Sequence, residues 1–464
     1  PKIDPNKMKV NLQYGTMFMK NQTKGGSLMA IIPQKSLFGW ENFNYLGDLE
    51  RLKLVLENLP DEELMRTLER ERGNGRDDYP IRAMWNSLIA GIVFQHESIS
   101  SLRRELSRNG QLKILCGFHL MQDPTASAYS RFLAKLMEHE DVVLEIFNKL
   151  VETIAELLPD FGKDLALDGK AIETYANPLA KDADRTPDGR RDIDATWGKK
   201  EYKGKDKDGN EWSKIVSWFG YRVHLLADAK YELPVAFSLT NASTHEAPEG
   251  RKIIRQLNEE HPEILKRSEH LIADRGYDNE KMITMLWDEY GIKPIIRIRN
   301  MWQDGEETKL LPNHTNIVYD FEGTVSCYCP ETNVKRDMAY GGFEKDRGTL
   351  KYRCPAVHYG IECKGRGSCC VANSIRIKMD VDRRVFTPIA RSSFKWDNLY
   401  KMRTSVERIN SRLDTIYGFE EHYIRGQKKM NLMLTLAFSV MLSIACGRVR
   451  RDEEKKLRSL VKAA

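Results

Sequence analysis

Two aspartates follow short apolar runs in similar contexts. Asp168 follows the apolar triplet of LALDGK and Asp274 that of LIADRG, and each has a glycine one or two residues further on. An acid after a buried strand lies where open α/β sheets place their functional sites, and a nearby glycine lets the chain turn and a ligand approach. The alternative is that each aspartate only forms the turn after its strand, a common role for this residue type.

A third group with chemical potential lies in the segment YKMRTSVERIN. Tyr400, Arg403 and Glu407 are spaced three and four residues apart, so they share one face if the segment is a single helix. A guanidinium suits bidentate contact with a phosphate, and a carboxylate suits a divalent metal. The alternative is an ordinary Arg–Glu ion pair on a solvated helix face.

Apolar periodicity and turn residues predict the elements that position these groups. Before residue 160 we predict helices over 40–73, two over 79–110 with Ser98 or Ser100 capping the second, one starting near 125 and one over 142–158. We then predict strands over 165–173, 215–228, 233–242, 271–276 and 293–299, with helices over 246–260 and 279–290. Residues 181–214 are dense in charges of both signs and predict a loop, 300–390 predict short strands, and 396–413 and 430–446 predict helices. This order is typical of a mixed α/β protein.

Composition limits the class of protein. The chain has 464 residues, of which 41% are hydrophobic and 30% charged, so disorder of the whole chain is excluded. The net charge of +6 permits a nucleic-acid partner without proving one. The apolar run 430–446 is short for a membrane span and is interrupted by Asn431 and Thr435, so we predict a buried core helix. With no apolar signal at the start of the sequence, we expect a cytoplasmic protein without a membrane partner.

Basic residues mark a candidate DNA contact in the helical region. The second helix of the 79–110 pair contains Arg103, Arg104 and Arg108, and two helices joined by a tight turn can place one helix on DNA. The alternative is a plain helical hairpin with a solvated basic face. The segment 447–464 has seven Lys/Arg against three Asp/Glu, which is consistent with a solvated tail or with a contact to DNA phosphate.

Six of the eight cysteines are clustered in the predicted β-rich segment: Cys327, Cys329, Cys354, Cys363, Cys369 and Cys370. Without a secretion signal such a cluster favours metal binding over disulfides. Four of these thiolates would complete a tetrahedral structural Zn²⁺ site, with His358 as a possible substitute ligand. No pair has the CxxC spacing of a zinc ribbon, so buried free thiols and disulfides remain alternatives.

Taken in order, these motifs resemble a known family. Asp168, Asp274 and Glu407 resemble the acidic triad of DDE transposases from bacterial insertion sequences, and YKMRTSVERIN matches that family's Tyr-x2-Arg-x3-Glu signature. The segments GYRVHLLAD and TNASTHEA are similar to its second and third strands and the start of the following helix, and 79–136 is similar to its helical amino-terminal domain. The resemblance covers about 60–446. The interval of 133 residues from Asp274 to Glu407 fits an inserted subdomain.

The resemblance implies a fold and a division of the chain. The fold class is α/β, with a ribonuclease-H-like mixed sheet and flanking helices, interrupted by a β-rich insertion and preceded by a helical domain. The implied parts are an amino-terminal extension (1–45), a helical DNA-binding domain (46–160), a catalytic domain in two parts (161–299 and 391–446), a Cys-rich insertion (300–390) and a basic tail (447–464).

The resemblance also implies a chemistry. Three clustered carboxylates repel one another, and two Mg²⁺ or Mn²⁺ ions shared among them would resolve the repulsion and promote phosphodiester cleavage and strand transfer. Arg403 and Tyr400 would contact the DNA. The partners implied are double-stranded DNA, as terminal inverted repeats and target, and further copies of this chain, in a bacterial, nucleoid-associated setting. One departure is Asp414, which stands where many relatives have a lysine seven residues after the glutamate. A nuclease without strand transfer and an inactive DNA-binding copy remain alternatives.

Overall fold

A computed structural model describes residues 47–73, 79–178, 192–205 and 210–458. The predicted amino-terminal extension therefore lies outside the described residues. In the part of the chain so described, seven helices precede the first strand: α1 Leu49–Asn58, α2 Glu62–Arg72, α3 Ile81–Val93, α4 Ile99–Arg108, α5 Gly110–Cys116, α6 Ala126–Glu138 and α7 Glu140–Leu157. The prediction that Ser98 caps a helix is confirmed, because its hydroxyl accepts the Ser101 amide at 3.2 Å at the start of α4.

A six-stranded sheet follows these helices. Its strands are β1 Asp164–Glu173, β2 Thr196–Lys205, β3 Glu211–Asp228, β4 Leu233–Asn241, β5 His270–Ala273 and β6 Lys293–Ile296, and helices α8 Glu246–Glu260, α9 Pro262–Arg267 and α10 Glu280–Thr284 lie between them in sequence. The order is β2-β3-β1-β5-β6, with β4 also paired to β3. β1 pairs antiparallel with β3 and parallel with β5, so the sheet is mixed as predicted.

The predicted loop over 181–214 is wrong for residues 196–205 and 211–214, which form a two-stranded antiparallel ribbon of β2 and β3. Gly198 pairs with Trp218 and Gly204 with Trp212 across the ribbon, and a Cβ on either glycine would lie within 3 Å of its partner's indole ring. The tryptophan rings thus cover the two glycines. Mixed charge and glycine content gave no sign of this pairing, because it depends on the facing strand.

The segment between β6 and the last helices forms a β-rich unit, as predicted. Its elements are β7 Lys309–Leu310, β8 Ile317–Tyr319, β9 Val325–Tyr328, β10 Lys335–Asp337, β11 Ala339–Glu344, β12 Thr349–Arg353, α11 Pro355–Tyr359 and β13 Ser374–Lys378. They make a four-stranded and a three-stranded sheet. Their buried side chains form a hydrophobic cluster separate from the main core. The predicted interruption of the sheet is wrong, because all six strands precede this unit, which separates the sheet from the last helices instead.

Three helices complete the fold: α12 Phe394–Lys401, α13 Thr404–Thr415 and α14 Gln427–Arg450. The single helix predicted over 396–413 is wrong at Met402 and Arg403. The amides of Met402, Arg403, Ser405 and Val406 bind carbonyls three residues back, so a tight turn replaces the α-helical pattern there.

The apolar run lies within α14, which is long and apolar enough to cross a membrane yet has most of its residues inside the protein. Phe438 packs against Phe147 of α7 and Phe237 of β4. The prediction of a buried core helix is confirmed. The helix continues to Arg450, so the first four residues of the predicted basic tail are helical.

Candidate active site

The parallel pairing of β1 and β5 brings the two predicted aspartates to adjacent positions. Leu167 pairs with Ala273 in this register, and Asp168 and Asp274 are the next residue on each chain. β1 continues past Asp168 to Glu173 against β3, which confirms the predicted strand over 165–173, so Asp168 lies within its strand and not after it. It is β5 that ends, so Asp168 lies at the edge of the parallel pair while its own strand goes on.

The negative charge of Asp274 affects the pKa of Asp168. Burial and then the negative charge of Asp274 raise the pKa of Asp168 to about 6, against the opposing effect of Arg403 and Lys200. Each carboxylate also accepts a local amide: Asp168 that of Gly169 at 2.9 Å, and Asp274 that of Gly276 at 2.7 Å. Asp274 is therefore also the turn former that the alternative interpretation described. A cluster of this kind, part-buried and mutually repelling, is typical of a site that binds cations.

Arg403 links the third acid to this pair. Its guanidinium donates a hydrogen bond to Glu407, four residues further along the chain, and lies 3.9 Å from the Asp168 carboxylate. The Arg–Glu ion pair predicted from spacing is therefore present, and it is part of the acidic cluster rather than an isolated surface pair. Tyr400 stacks on Trp396 with ring centroids 4.9 Å apart, and the Arg403 guanidinium lies 5.9 Å from the Tyr400 ring. The three side chains remain close although the helix is interrupted between them.

A further acid, which sequence reasoning did not single out, belongs to the cluster. Glu246, the first residue of α8, accepts a hydrogen bond from Arg222 Nη1 at 2.5 Å. Burial, followed by the negative charge of Asp274, raises the pKa of Glu246. The available signal was an acid at a helix start directly after a strand, in TNASTHEA, but nothing in the spacing of the sequence placed it beside the aspartates.

The unusual Asp414 also has a partner here. Lys170, two residues after Asp168 on β1, donates to Asp414 at 2.6 Å, and both side chains are largely shielded. Side chains two residues apart on a strand lie on the same face of the sheet, so Lys170 lies beside Asp168. β1 therefore supplies a lysine near the site, although α13 has Asp414 where many relatives have one. The nearby Arg408 and Arg412 instead bind the buried Glu232.

Two histidines lie on neighbouring elements, His224 on β3 and His245 directly before α8. His224 is buried and hydrogen-bonded to Thr240 and Tyr277, and burial lowers its pKa to about 4. It is a neutral core histidine. His245 precedes α8 at the N-cap position without a side-chain cap bond.

Over the described ranges, no three His, Cys, Asp or Glu side chains are arranged as a ready metal site. The donor set nevertheless fits a hard divalent cation, because Asp168, Asp274 and Glu407 offer carboxylate oxygens. Arg403 lies among these carboxylates and partly neutralises them.

Comparison with known proteins identifies the family. Residues 160–442, which include Asp168, Asp274 and Glu407, match the family model described as the transposase DDE domain. The chain belongs to this transposase family. No curated protein sequence matches this chain. A cryo-EM structure of a piggyBac transposase synaptic complex with hairpin DNA is similar, with a TM-score of 0.37 and 10% identity over 91% of this chain and 80% of that chain. A TM-score this low does not establish a common fold.

The arginines predicted to contact DNA lie on α4 of the transposase in different environments. Arg103 donates to the Pro124 carbonyl at 2.7 Å, Arg108 pairs with Glu105 on the exposed surface, and Arg104 is exposed. Arg103 thus fixes the chain before α6, while Arg104 is the best placed of the three to meet a phosphate.

The predicted zinc ligands are brought together in part. Cys327, Cys329, Cys354, Cys363 and Cys369 line one cavity of about 20 Å³ in the β-rich unit. Cys370 is exposed and contacts Asn316. All six are free thiols, so the disulfide alternative is not observed. Hydrogen bonds from Thr332, Glu331 and Gly365 lower the pKa of Cys329 to about 6.

Proposed function

We propose that this transposase cleaves phosphodiester bonds at terminal inverted repeats and joins the resulting 3′-OH ends to target DNA. The observation that supports it best is the register of β1 and β5, which sets Asp168 beside Asp274 within the segment that matches the transposase family. Arg403 adds Glu407 to the same cluster. In this proposal the sheet is ribonuclease-H-like, residues 161–299 and 391–446 form the catalytic domain, and 300–390 form an insertion.

Asp168, Asp274 and Glu407 would hold two Mg²⁺ or Mn²⁺ ions. Such ions activate the attacking oxygen and stabilise the leaving oxygen of an in-line displacement. In this proposal the three carboxylates would hold the ions, and the Arg403 guanidinium, which contacts Asp168 and Glu407, would bind the scissile phosphate. Tyr400 supports the Arg403 guanidinium from its ring face. No side chain needs to act as a nucleophile.

DNA would contact two surfaces besides the cluster. One is α4, with Arg104 and Arg108 exposed and Arg103 behind them. The other is the β2–β3 ribbon, where Trp212, Ile215 and Val216 are exposed. A two-stranded ribbon can enter a groove of DNA, and exposed aromatic rings stack on bases. The positive charge of Lys200 on the ribbon opposes the rise in the pKa of Asp168, so this part of the ribbon lies near the acids. Two copies of the chain would hold paired DNA ends in the bacterial cytoplasm.

The test is a cleavage assay on a plasmid carrying the DNA that flanks this gene, with Mg²⁺ present. Wild type is compared with Asp168→Ala and Glu407→Gln, and with Glu420→Gln as an exposed acidic control. We expect cuts at the flanks from wild type and the control, and loss of at least about a hundredfold in rate from the two triad variants, because each removes a metal ligand. Full cleavage by Glu407→Gln would show that the triad is wrongly assigned.

The same assay separates the alternatives. A joined product shows a transposase, whereas cuts that never lead to joining show a nuclease. Salt-sensitive retention of the flanking DNA without any cut shows an inactive DNA-binding copy, since contacts to phosphate weaken steeply with salt. The Lys170–Asp414 pair argues against inactivity, because a cation remains beside Asp168.

We also propose a structural Zn²⁺ at the cysteine cavity. Four ligands would come from the five cysteines that line it. The hydrogen bonds to Cys329 support the proposal, because they stabilise a thiolate. Metal analysis of the purified chain tests it. Close to one zinc per chain is expected, and less than about half a zinc would leave buried free thiols as the explanation.

A further inference from the structure

Glu246 lies against the glycines that follow the two aspartates, Gly169 after Asp168 and Gly276 after Asp274. A Cβ at Gly276 would lie 1.6 Å from Glu246 Oε2, and a Cβ at Gly169 would lie 3.0 Å from Oε1. Neither glycine has the positive φ that would itself require glycine. The absence of a side chain at these positions is therefore explained by space, which the Glu246 carboxylate fills.

The same two glycines hold the aspartates. Gly169 donates its amide to Asp168, and Gly276 donates its amide to Asp274. Glu246 therefore sits against the backbone that orients both carboxylates. Its side chain is only 20% exposed, so water shields it little from the charges around it.

Arg222 fixes the orientation of this fourth acid. Its guanidinium contacts Oε1 at 2.5 Å, and it lies 5.3 Å from the ring of Trp218. The contact uses Oε1, so Oε2 is the oxygen directed at the Gly276 turn beside Asp274. A carboxylate held on one oxygen by an arginine, with the other directed at the turn beside Asp274, is arranged to share a cation with that acid.

We propose that Glu246 is a fourth carboxylate of the divalent metal centre, acting with Asp168 and Asp274 either directly or through a bound water. The inference rests on the proposed function, because it assumes the metal centre. Ions of this kind prefer oxygen ligands, and an acid in this position would offer one more carboxylate beside those of the triad. Arg222 then keeps Glu246 in place whether or not an ion is bound.

The alternative is that Glu246 only ties α8 to β3 through Arg222. The two interpretations differ in what they predict for metal affinity. If Glu246 is only a tie, Glu246→Gln and Arg222→Ala lower the thermal midpoint to a similar extent and leave metal affinity as in wild type. If it belongs to the metal centre, Glu246→Gln lowers metal affinity even though the glutamine amide can still fill the same space.

The experiment is a calorimetric titration of the full chain with Mn²⁺ in the absence of DNA, so its readout does not depend on activity. We compare wild type with Glu246→Gln, with Asp168→Asn as the reference, and with Glu259→Gln as a matched control on the exposed end of α8. We expect Glu246→Gln to weaken Mn²⁺ binding about tenfold to a hundredfold, the range seen when a supporting ligand is lost. The control should bind as wild type does.

The outcomes separate the inference from the function it rests on. Wild-type Mn²⁺ affinity in Glu246→Gln, together with loss in Asp168→Asn, overturns the inference and leaves the proposed function standing. Unchanged affinity in Asp168→Asn as well would overturn the proposed metal centre itself.

A second variant guards against misfolding of the first. Gly276→Ala places a methyl group where Oε2 lies, so it should weaken Mn²⁺ binding in wild type by displacing Glu246. In the Glu246→Ala background the same change should have a smaller effect, because the displaced side chain is gone and only the close approach of the methyl group to Asp274 Oδ1, at 2.9 Å, remains. An equal effect in both backgrounds would contradict the proposed position of Glu246. The thermal midpoint of each variant is measured to confirm folding.

Discussion

Replacing Glu232 by alanine should destabilise the transposase strongly. Glu232 is 1% exposed in the turn between β3 and β4 and accepts from both Arg408 and Arg412 of α13. Arg412 is itself buried and also donates to the Glu232 carbonyl at 2.8 Å. In Glu232→Ala the Arg412 guanidinium loses its counter-charge while remaining inside the protein. Breaking a buried ion pair in this way costs about 3–5 kcal/mol of unfolding free energy.

The backbone should not contribute to this cost. Glu232 has a φ of 59°, which is unfavourable for any residue with a Cβ, and alanine and glutamate both have one. The difference in unfolding free energy between wild type and Glu232→Ala therefore comes from the loss of the side chain's interactions. Arg412 lies on the same helix as Glu407. We therefore also expect slower cleavage by Glu232→Ala, because α13 would hold the Glu407 carboxylate less firmly in position.

The assay is equilibrium unfolding in urea followed by tryptophan fluorescence. Glu453→Ala is the control, since its partner Lys456 is exposed and such pairs contribute about 0–1 kcal/mol. Adding Arg412→Met to Glu232→Ala should recover much of the loss, because the uncompensated charge is removed. A loss below about 1 kcal/mol in Glu232→Ala, or a double variant no more stable than the single one, would refute the reasoning.

Three further predictions concern pH, packing and DNA. Burial raises the pKa of Asp228 to about 6 from an ordinary 3.8, so this group's stabilising contribution is complete below about pH 4 and is lost as the pH rises through 6. The loss is about 3 kcal/mol, and urea midpoints measured from pH 4 to 7 should fall less in Asp228→Asn than in wild type. Phe438→Ala should cost about 3–5 kcal/mol by leaving a cavity beside Phe147 and Phe237, measured by the same unfolding assay; a cost below 1 kcal/mol would mean that the site collapses. Trp212→Ala should weaken binding to flanking DNA by about 1 kcal/mol or more, or roughly fivefold, in a fluorescence anisotropy titration, with the thermal midpoint measured to confirm that the variant is folded.

Local patterns in the sequence determined much of the architecture. The apolar triplets before Asp168 and Asp274 predicted buried strands, and both are present. The apolar run in α14 predicted a core helix, and the short turns with cysteines predicted a β-rich unit. These features depend on neighbouring residues, whose periodicity and turn chemistry the sequence displays directly. The family resemblance followed from the same motifs, because their order along the chain is itself a sequence property.

Where local signals were ambiguous, sequence reasoning failed. The β2–β3 ribbon was predicted to be a loop because its charges and glycines do not alternate with apolar residues, and only the facing strand explains them. The break at Met402 and Arg403 was missed. Both residues keep helical dihedral angles, so the spacing of the side chains in the sequence still fits one helix. Only the hydrogen bonds, which run three residues back rather than four, mark the interruption.

The contacts within the cluster were decided by the tertiary structure. Lys170 and Asp414 are 244 residues apart, and Arg412 and Glu232 are 180 apart, so their pairing depends on how α13 lies against the sheet. Glu246 reaches Gly169 and Gly276 only because α8 begins beside the paired ends of β1 and β5. The sequence could name the acids and their chemistry, since residue type fixes what a side chain can bind. Which acids share a site is set by strand register and helix placement, and these follow from packing over the whole domain.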